Sequence, residues 1–309
     1  MRLISFSPVL TGAACFARPD SGQNWQQINN GVLALYESAP LITNGYIFVG
    51  ADFVVGAGGF YRSTDYGDSW VEINHDMIQT DVRALATDPS GHIFAGTYFG
   101  GGVFRSTDNG DSWTSVNNGL DCGNIRSHTI IPVGTIFAGT AGCGTGVYRS
   151  TDNGDSWTLA NIGLTSTYVA ALAANGSNYN VFAGTHSIMG KGSGMFRSAD
   201  NGDTWTEQDR GFTALDVKSV VINPIGHIFA GAAGGVFRSM NDADQWSDVS
   251  NGLLPPGGNV WAVATRGIAS GGFAYAGTAG GGVFRSVRST AAVRVIPRPR
   301  PRPTPAQWP

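Results

Sequence analysis

Three cationic side chains occupy equivalent positions in a repeated part of the sequence. Arg83, Arg126 and Lys218 each stand one residue into a short apolar segment. The same position in the other copies of this segment holds Leu33, Ala170 and Trp261. Cations that gather at one point of a fold attract a carboxylate or another anion. We therefore expect the three cations and Trp261 to contribute to a ligand-binding surface; the alternative is that the cations pair with local acids or carbonyls.

Acidic residues that could accompany these cations are few. Of the three glutamates, only Glu37, directly after Tyr36, lies in a comparable segment, and the other two follow tryptophans on segments predicted to be outermost. Asp81 and Asp216 each stand just ahead of an apolar segment, where they could equally be capping or turn residues. Because hydrolysis of a glycosidic bond normally needs two facing carboxyl groups, we add Tyr36 and Glu37 to the ligand-binding candidates and assign no catalytic residue.

Other functional classes find little support in the composition. The five histidines show no metal-ligand spacing, and no serine stands in a nucleophile-elbow motif. The formal net charge is -3 and only 13% of residues are charged, which does not suggest a nucleic-acid surface. No apolar run is long enough to span a membrane as a helix. We therefore expect no metal, no cofactor, no nucleic-acid partner and no transmembrane segment.

The most regular part of the repeat is a ten-residue stretch, FRSTDNGDSW, at 104–113. It returns as YRSTDYGDSW at 61–70, YRSTDNGDSW at 148–157 and FRSADNGDTW at 196–205. Two worn copies read FRSMNDADQW at 237–246 and FARPDSGQNW at 16–25. Self-similarity every few tens of residues is the signature of a repeat architecture, so this motif, which we name the box, organises the fold.

The residue types of the box predict a strand, a tight turn and a second strand. The residues before it alternate apolar and polar, as in a half-buried strand. Its acid can accept hydrogen bonds from the amides just ahead, its glycine tolerates positive φ, and its tryptophan has a large area to bury. The acidic or amide position holds Asp20, Asp65, Asp108, Asp152, Asp200 and Asn241. The tryptophans are Trp25, Trp70, Trp113, Trp157, Trp205 and Trp246.

The box resembles the Asp-box of the sialidase-type (BNR) repeat family, through four good copies and two degenerate ones. In that family the box is a structural turn between the two outer strands of a β-propeller blade, away from the active site. The resemblance therefore implies that the box residues are structural rather than catalytic. Similar chains include propeller assembly factors related to the photosystem II stability factor.

Each repeat contains four short strand patterns joined by Gly-rich turns, which is one propeller blade. The inner strands are predicted to begin near Val32, Val82, Ile125, Val169, Val217 and Val260. The outer strand at Trp25 has no inner strands before it. We predict an all-β propeller of six four-stranded antiparallel blades, closed by the N-terminal strand, which completes the C-terminal blade. In the seven-blade alternative, residues 1–30 form a short blade and Ala292–Ile296 is the last outer strand.

The propeller is predicted to occupy residues 18–290. Residues 1–17 combine a basic start, a modest apolar stretch and small residues near Ala17, which favours a signal peptide; an ordinary first strand is the alternative. Cys15 follows Gly-Ala-Ala and leaves a lipid anchor open. The Pro/Arg-rich tail, 291–309, is expected to be extended and disordered, with a linker or a basic contact segment as alternatives.

Strand direction separates the two faces of a propeller. Connections from outer to inner strands and loops between second and third strands share one face, and the boxes lie on the other. Cys122 and Cys143 fall at neighbouring positions on the first face. We favour a disulfide between them, which suits an oxidising compartment, over free buried thiols. The most variable loops, 51–59 and 186–194, are expected to govern specificity.

The resemblance also allows the enzyme hypothesis to be weighed. Sialidases bind a carboxylate with three arginines and use a tyrosine, a glutamate and an acid/base aspartate, but their Arg-Ile-Pro motif is absent here. We therefore predict an exported binding or scaffold module, secreted or periplasmic and monomeric, with a protein or glycan ligand at the propeller face. The alternatives are a sialidase-like glycoside hydrolase or lyase with its site at the channel mouth, and a purely structural propeller within a larger protein.

Overall fold

The structure is a computed structural model of the 309-residue chain. It describes residues 3–6, 15–18, 26–27, 30–32, 37–51, 59–77, 80–186, 193–253, 258–268, 271–279 and 282–286. Every regular element in these ranges is a β-strand, and all the strand pairs are antiparallel.

The strands form seven sheets, in each of which they pair in chain order. The N-terminal sheet contains β1 (Leu3–Phe6), β2 (Cys15–Arg18) and β3 (Gln26–Gln27). Blade 1 contains β4 (Glu37–Thr43), β5 (Tyr46–Ala51), β6 (Gly59–Ser63) and β7 (Val71–Glu72). Blade 2 contains β8 (Val82–Thr87), β9 (Ile93–Thr97), β10 (Val103–Ser106) and β11 (Thr114–Ser115). Blade 3 contains β12 (Ile125–Ile130), β13 (Ile136–Thr140), β14 (Val147–Ser150) and β15 (Thr158–Leu159).

Blades 4 and 5 follow the same plan, and blade 6 has three strands within the described residues. Blade 4 contains β16 (Val169–Ala174), β17 (Val181–Thr185), β18 (Met195–Ser198) and β19 (Thr206–Glu207). Blade 5 contains β20 (Val217–Ile222), β21 (Ile228–Ala232), β22 (Gly235–Ser239) and β23 (Ser247–Asp248). Blade 6 contains β24 (Val260–Ile268), β25 (Gly271–Thr278) and β26 (Gly282–Arg285). The inner strands pack in order, β4 against β8 and so on to β24.

These six blades confirm the predicted all-β propeller of four-stranded antiparallel sheets. The expected closure differs in one detail, because β3 pairs with β2, with Phe16 opposite Gln27, rather than with β26. The sequence did not indicate β1 and β2, the two short strands before and after Pro8 in the chain. Strand β2 gives β3 a partner within the N-terminal sheet. The short N-terminal sheet is the unit that the seven-blade alternative requires at this end. The segment that the alternative uses as its last outer strand, Ala292–Ile296, lies outside the described residues.

Two strand predictions at the N-terminus need separate comment. The inner strand of blade 1 begins at Glu37 and not near Val32, because its register is set by β5, whose Gly50 lies opposite Ala39. The segment 1–17, predicted as a signal peptide, includes β1 and part of β2, which pair from Leu3 with Arg18 to Phe6 with Cys15. The tail, 291–309, lies outside the described residues.

Adjacent blades pack through a glycine in each second strand. The second strands of blades 2 to 5 are buried along their whole length. A Cβ atom added at Gly184 would lie 2.5 Å from Cγ1 of Val217, the first residue of the next inner strand. The equivalent contacts join Gly50 to Val82, Gly96 to Ile125, Gly139 to Val169 and Gly231 to Val260. Glycine is therefore required here by the close approach of the neighbouring blade.

The boxes of blades 1 to 5 form the same hydrogen-bonded turn, which blade 3 illustrates. The buried hydroxyl of Ser150 donates to Asp152 (2.7 Å) and accepts from the amide of Gly154 (2.8 Å). Asp152 also accepts from the amide of Ser156 at 2.9 Å. Asn153, with φ of 61°, and Gly154, with φ of 87°, adopt the left-handed conformation, which asparagine and glycine tolerate best. In blade 1, hydrogen bonds from Ser69 and Ser63 lower the pKa of the equivalent Asp65 to about 2.

The boxes also join neighbouring blades. The indole Nε1 of Trp157 donates to the Val116 carbonyl of the preceding blade at 2.8 Å, and Trp113, Trp205 and Trp246 make the same contact. In the opposite direction, Arg105 donates to the Asn153 carbonyl at 2.6 Å and to Asp155 at 2.8 Å in the next box. Arg62, Arg149 and Arg197 repeat this arrangement. We name it the arginine clasp.

Replacing the buried box serine should destabilise the protein more than replacing the exposed one. Ser150→Ala leaves the buried amide of Gly154 without its acceptor, which costs about 1–3 kcal/mol. Ser156→Ala removes an exposed hydroxyl whose bond to Asp152 water can replace, and the amide of Ser156 keeps its own bond to Asp152. The free energy of unfolding of both variants, measured by urea denaturation, tests this difference. Equal losses would contradict the central role of the buried hydroxyl.

His128 is an exception within the inter-blade packing. The fourth residue of the inner strand is Leu85, Leu172, Val220 or Val263 in blades 2, 4, 5 and 6, Pro40 in blade 1 and His128 in blade 3. His128 is buried, and within the described ranges neither ring nitrogen has a hydrogen-bond partner. Burial lowers its pKa from 6.5 to about 3, because the charged form is poorly solvated there.

His128→Leu should reduce the loss of stability in acid. Between pH 6.5 and about 3 the unfolded chain binds a proton at this position and the folded chain does not, so the wild-type free energy of unfolding falls as the pH falls. The variant lacks this contribution, so its free energy of unfolding relative to that of the wild type should be higher at pH 4.5 than at pH 8. Urea midpoints at the two pH values measure the effect. The exposed His75→Ala serves as the control and should keep the wild-type pH dependence.

Candidate ligand-binding site

A β-bulge occurs at the second residue of every inner strand. In blade 2, Val82 lies opposite Thr97 and Ala84 opposite Gly96, so the register of the ladder shifts at Arg83. The bulge residues of blades 1 to 6 are Ser38, Arg83, Arg126, Ala170, Lys218 and Trp261. A bulge re-aims a side chain away from the regular sheet. The predicted cations and Trp261 therefore share one structural position, but its blade 1 member is Ser38 and not Leu33, because the inner strand begins later than predicted.

Two further positions in each blade lie beside the bulge. The amide of the residue after the second strand donates to the carbonyl of the residue before the inner strand, as from Tyr98 to Asp81 (2.9 Å) and from His186 to Tyr168 (3.0 Å). The same bond joins Ala233 to Asp216 at 3.0 Å. These bonds hold the side chains at the same strand ends as the bulge residues. We name the surface formed by these three positions the inner-strand face.

Blade 2 contributes a fixed arginine. Arg83 Nε lies 2.5 Å and its terminal nitrogen 3.1 Å from the two carboxylate oxygens of Asp81, which is fully buried. The guanidinium carbon lies 5.2 Å from the centroid of the Tyr98 ring, a favourable cation–π distance. Phe99, with its side chain well exposed, packs edge-on against Tyr98. This part of the face therefore presents a neutralised cation beside an accessible aromatic surface.

Blades 4, 5 and 6 meet at the carboxylate of Asp216. Its Oδ1 accepts a hydrogen bond from His186 Nδ1, and its Oδ2 accepts one from Lys218 Nζ at 3.0 Å. Burial opposes the ionisation of Asp216, but the bonds from His186 and Lys218 outweigh it and lower the pKa of Asp216. Lys218 Nζ also lies 4.5 Å from the ring centroid of Trp261, which is 41% exposed.

Tyr168 and Arg126 lie between these two groups. The ring of Tyr168 packs edge-on against His186, with centroids 5.0 Å apart. Burial raises the pKa of Tyr168, and the positive charges of Arg126 and Arg83 partly counteract this, so the phenol is protonated at neutral pH. The bulge residue of this blade is Ala170, whose side chain is only a methyl group.

The structure thus brings Arg83, Arg126, Lys218 and Trp261 to one face. Tyr36 lies outside the described residues, as does the side chain of Glu37, and the loops 51–59 and 186–194 are described only at their ends. Arg83 and Lys218 pair with Asp81 and Asp216, so the alternative of local ion pairs applies to both.

Sequence reasoning missed Tyr98, Tyr168 and His186. A signal was present for two of them, since Tyr98 and His186 each follow the Ala-Gly-Thr end of a second strand.

A disulfide bond borders the inner-strand face. Cys122, just ahead of β12, is joined to Cys143, in the loop after β13, with a Cα–Cα distance of 5.9 Å. The amide of Ala141 donates to the Asn124 carbonyl at 3.0 Å in the same region. The bond therefore holds the start of the strand that carries Arg126. Within the described ranges, no three His, Cys, Asp or Glu residues are grouped closely enough to bind a metal, and no helix could cross a membrane.

One protein-family model matches this chain over about two thirds of its length. Residues 9–209 match the model of the DUF6242 beta propeller domain. The chain belongs to this family. No curated protein matches it significantly.

Solved structures share the fold of this DUF6242 propeller at low sequence identity. The extracellular domain of BT4673 from B. thetaiotaomicron is 18% identical, with a TM-score of 0.69 over 92% of this chain and 38% of that one. YCF48 bound to D1 peptide is 16% identical, with a TM-score of 0.67 over 92% and 88% of the two chains. The GH74 xyloglucanase from Xanthomonas campestris is 16% identical, with a TM-score of 0.73 over 93% and 50%. The chain therefore spans well under half of the BT4673 structure.

Removing the disulfide of this DUF6242 propeller should destabilise blade 3. The bond closes a loop of 21 residues, for which the loss of chain entropy in the unfolded state corresponds to about 3 kcal/mol. The Cys122→Ala/Cys143→Ala double variant should lose stability of this order and become insensitive to reductant. Thermal unfolding with and without dithiothreitol measures both effects. A wild-type midpoint unchanged by reductant would contradict the prediction.

Proposed function

We propose that this DUF6242 propeller is an exported binding module whose inner-strand face takes a protein or glycan partner. The observation that carries the proposal is the set of six bulge positions, which direct Arg83, Arg126, Lys218 and Trp261 to one face. The opposite face consists of boxes whose polar groups bond to one another and to neighbouring blades. The inner-strand face is therefore the one whose side chains differ from blade to blade, as specific recognition requires.

The chemistry of the face favours a ligand with both a ring and an anionic group. Trp261 and Phe99 are exposed aromatic side chains, and such rings present large amphipathic surfaces to sugars and peptides. Arg126 supplies a guanidinium suited to a carboxylate. An acidic glycan or a peptide carboxylate meets both requirements.

The comparisons support a binding role by analogy. YCF48 is named with a bound D1 peptide, and BT4673 is named as an extracellular domain. The disulfide agrees with an oxidising compartment, secreted or periplasmic. We also propose that the box is the Asp-box of the sialidase-type repeat and that the module is monomeric.

Hydrolysis by paired carboxyl groups receives less support, although the xyloglucanase shares the fold. Asp216 has a lowered pKa and bonds to His186 and Lys218, so it is ionised and poorly suited to act as a general acid. Asp81 is buried beneath Arg83. Neither is placed as the proton donor that a glycosidase needs.

Binding should depend on Arg126 and not on a matched arginine on the other face. Arg126→Ala removes a charged hydrogen-bond donor from the inner-strand face, and affinity should fall about tenfold or more. Arg210→Ala removes the same charge beside the box of blade 5, where the Arg210 carbonyl accepts from Trp246, and should leave affinity unchanged. Arrays of acidic glycans and of peptides with free carboxylates identify the ligand, and calorimetry measures its affinity. Equal affinities of the two variants would contradict the assignment of the face.

A further inference from the structure

His186 is held in the orientation of a general base. Its Nδ1–H donates to Asp216, which Lys218 holds from the other side. An imidazole with its proton on Nδ1 carries its lone pair on Nε2, and Nε2 has no hydrogen-bond partner in the part of the chain that the structure describes. The side chains of His186 and Asp216 are each about one quarter exposed, so a ligand on the inner-strand face can reach the ring.

Tyr168 is placed to donate a proton beside this base. Its ring lies edge-on to His186, with centroids 5.0 Å apart. Its raised pKa, caused by burial, keeps the phenol protonated at neutral pH. The nearby charges of Arg126 and Arg83 favour the phenolate, so they stabilise Tyr168 after the proton has left. A base and an acid thus stand side by side.

Removal of a proton next to a carboxylate needs a third group. The carbanion that forms delocalises onto the carboxylate, and a cation bound there stabilises the added charge. Arg126 is the bulge residue of β12, which packs against β16, and Tyr168 directly precedes β16. Because the positive charge of Arg126 also acts on Tyr168, a carboxylate bound by Arg126 lies near both the acid and the base. Trp261, which is 41% exposed, offers a ring surface for a neighbouring sugar.

We infer that the inner-strand face is a β-elimination centre for 4-linked uronate polysaccharides, with His186 as the base and Tyr168 as the acid. Nε2 of His186 takes the proton from C5 of the uronate. The electron pair of that C–H bond forms the C4=C5 double bond, and the C4–O4 bond breaks. O4 leaves with the proton of the Tyr168 hydroxyl, which gives an unsaturated uronate and a new chain end without water or an oxidant. Proton return from His186 to Tyr168 through solvent restores the site.

The position of the two groups also defines the stereochemistry. Because His186 and Tyr168 are adjacent, they act on the same side of the sugar ring, and the reaction is a syn elimination. Glucuronate and mannuronate carry H5 and O4 on the same side, whereas galacturonate carries them on opposite sides. The substrates are therefore 4-linked glucuronates or mannuronates. This inference rests on the proposed ligand-binding role of the face.

The test uses the full chain with polyglucuronate, polymannuronate and polygalacturonate. The conjugated C4=C5 product absorbs in the ultraviolet, and absorbance should rise with at least one of the first two polymers and not with the third. His186→Ala and Tyr168→Phe should each lower the rate at least about a hundredfold while affinity, measured by calorimetry, changes little. Ala170→Trp places a bulky ring at the bulge position two residues after Tyr168 and should weaken both binding and turnover, and His75→Ala should leave both unchanged.

Each outcome of the test has a separate meaning. Turnover that depends on His186 and Tyr168, with binding retained in both variants, supports the elimination centre. Uronate binding without an unsaturated product overturns it and leaves the binding function standing. Turnover of polygalacturonate alone overturns the syn geometry and with it the assigned roles. If no uronate binds, the inference is wrong, and the glycan and peptide arrays decide the proposed function independently.

Discussion

A single buried serine hydroxyl holds each complete box in shape. In blade 3 the hydroxyl of Ser150 satisfies the amide of Gly154 and orients Asp152, which then accepts from the amide at the far end of the turn. The shape of the turn also positions Trp157 against the preceding blade and exposes the Asn153 carbonyl, which accepts a hydrogen bond from Arg105. The contacts between blades on this side of the propeller thus depend on a local network of a few polar atoms, which explains why the box varies so little among its best copies.

The other side of each blade follows from a packing constraint. The first residue of an inner strand fits over a glycine of the preceding blade, as Val217 does over Gly184. The ladder then resumes one residue later, and the residue between is left unpaired. Since this residue takes no part in the ladder, its identity can change with little cost to the fold. The rule that makes the blades alike therefore also creates the position at which they differ.

The sequence was sufficient for the blade but not for all of its register. The box and the second strand have residue types that permit few other conformations, so the strands of blades 2 to 5 could be placed closely. The inner strand of blade 1 could not be placed in this way, because Val32-Leu33-Ala34-Leu35 resembles Val82-Arg83-Ala84-Leu85, the start of the inner strand of blade 2. Only its pairing with β5 shows that this strand begins at Glu37. The cations were found because they repeat. His186 and Tyr168 were not found, because a side chain that occurs in only one blade leaves no repeating pattern in the sequence. In addition, Asp216, the hydrogen-bond partner of His186, belongs to a different blade.

The arginine clasp runs in one direction along the chain. Blades 1 to 4 each extend an arginine to the box of the next blade, as Arg62 does to the box of blade 2 and Arg105 to that of blade 3. A unit inserted into or removed from this series by in-frame duplication or deletion leaves each remaining clasp arginine with a box to bind. The boxes at 104–113 and 148–157, which differ in one letter, are what a history of duplication would leave. Blade number is then a character that can change during evolution without any redesign of the contacts between blades.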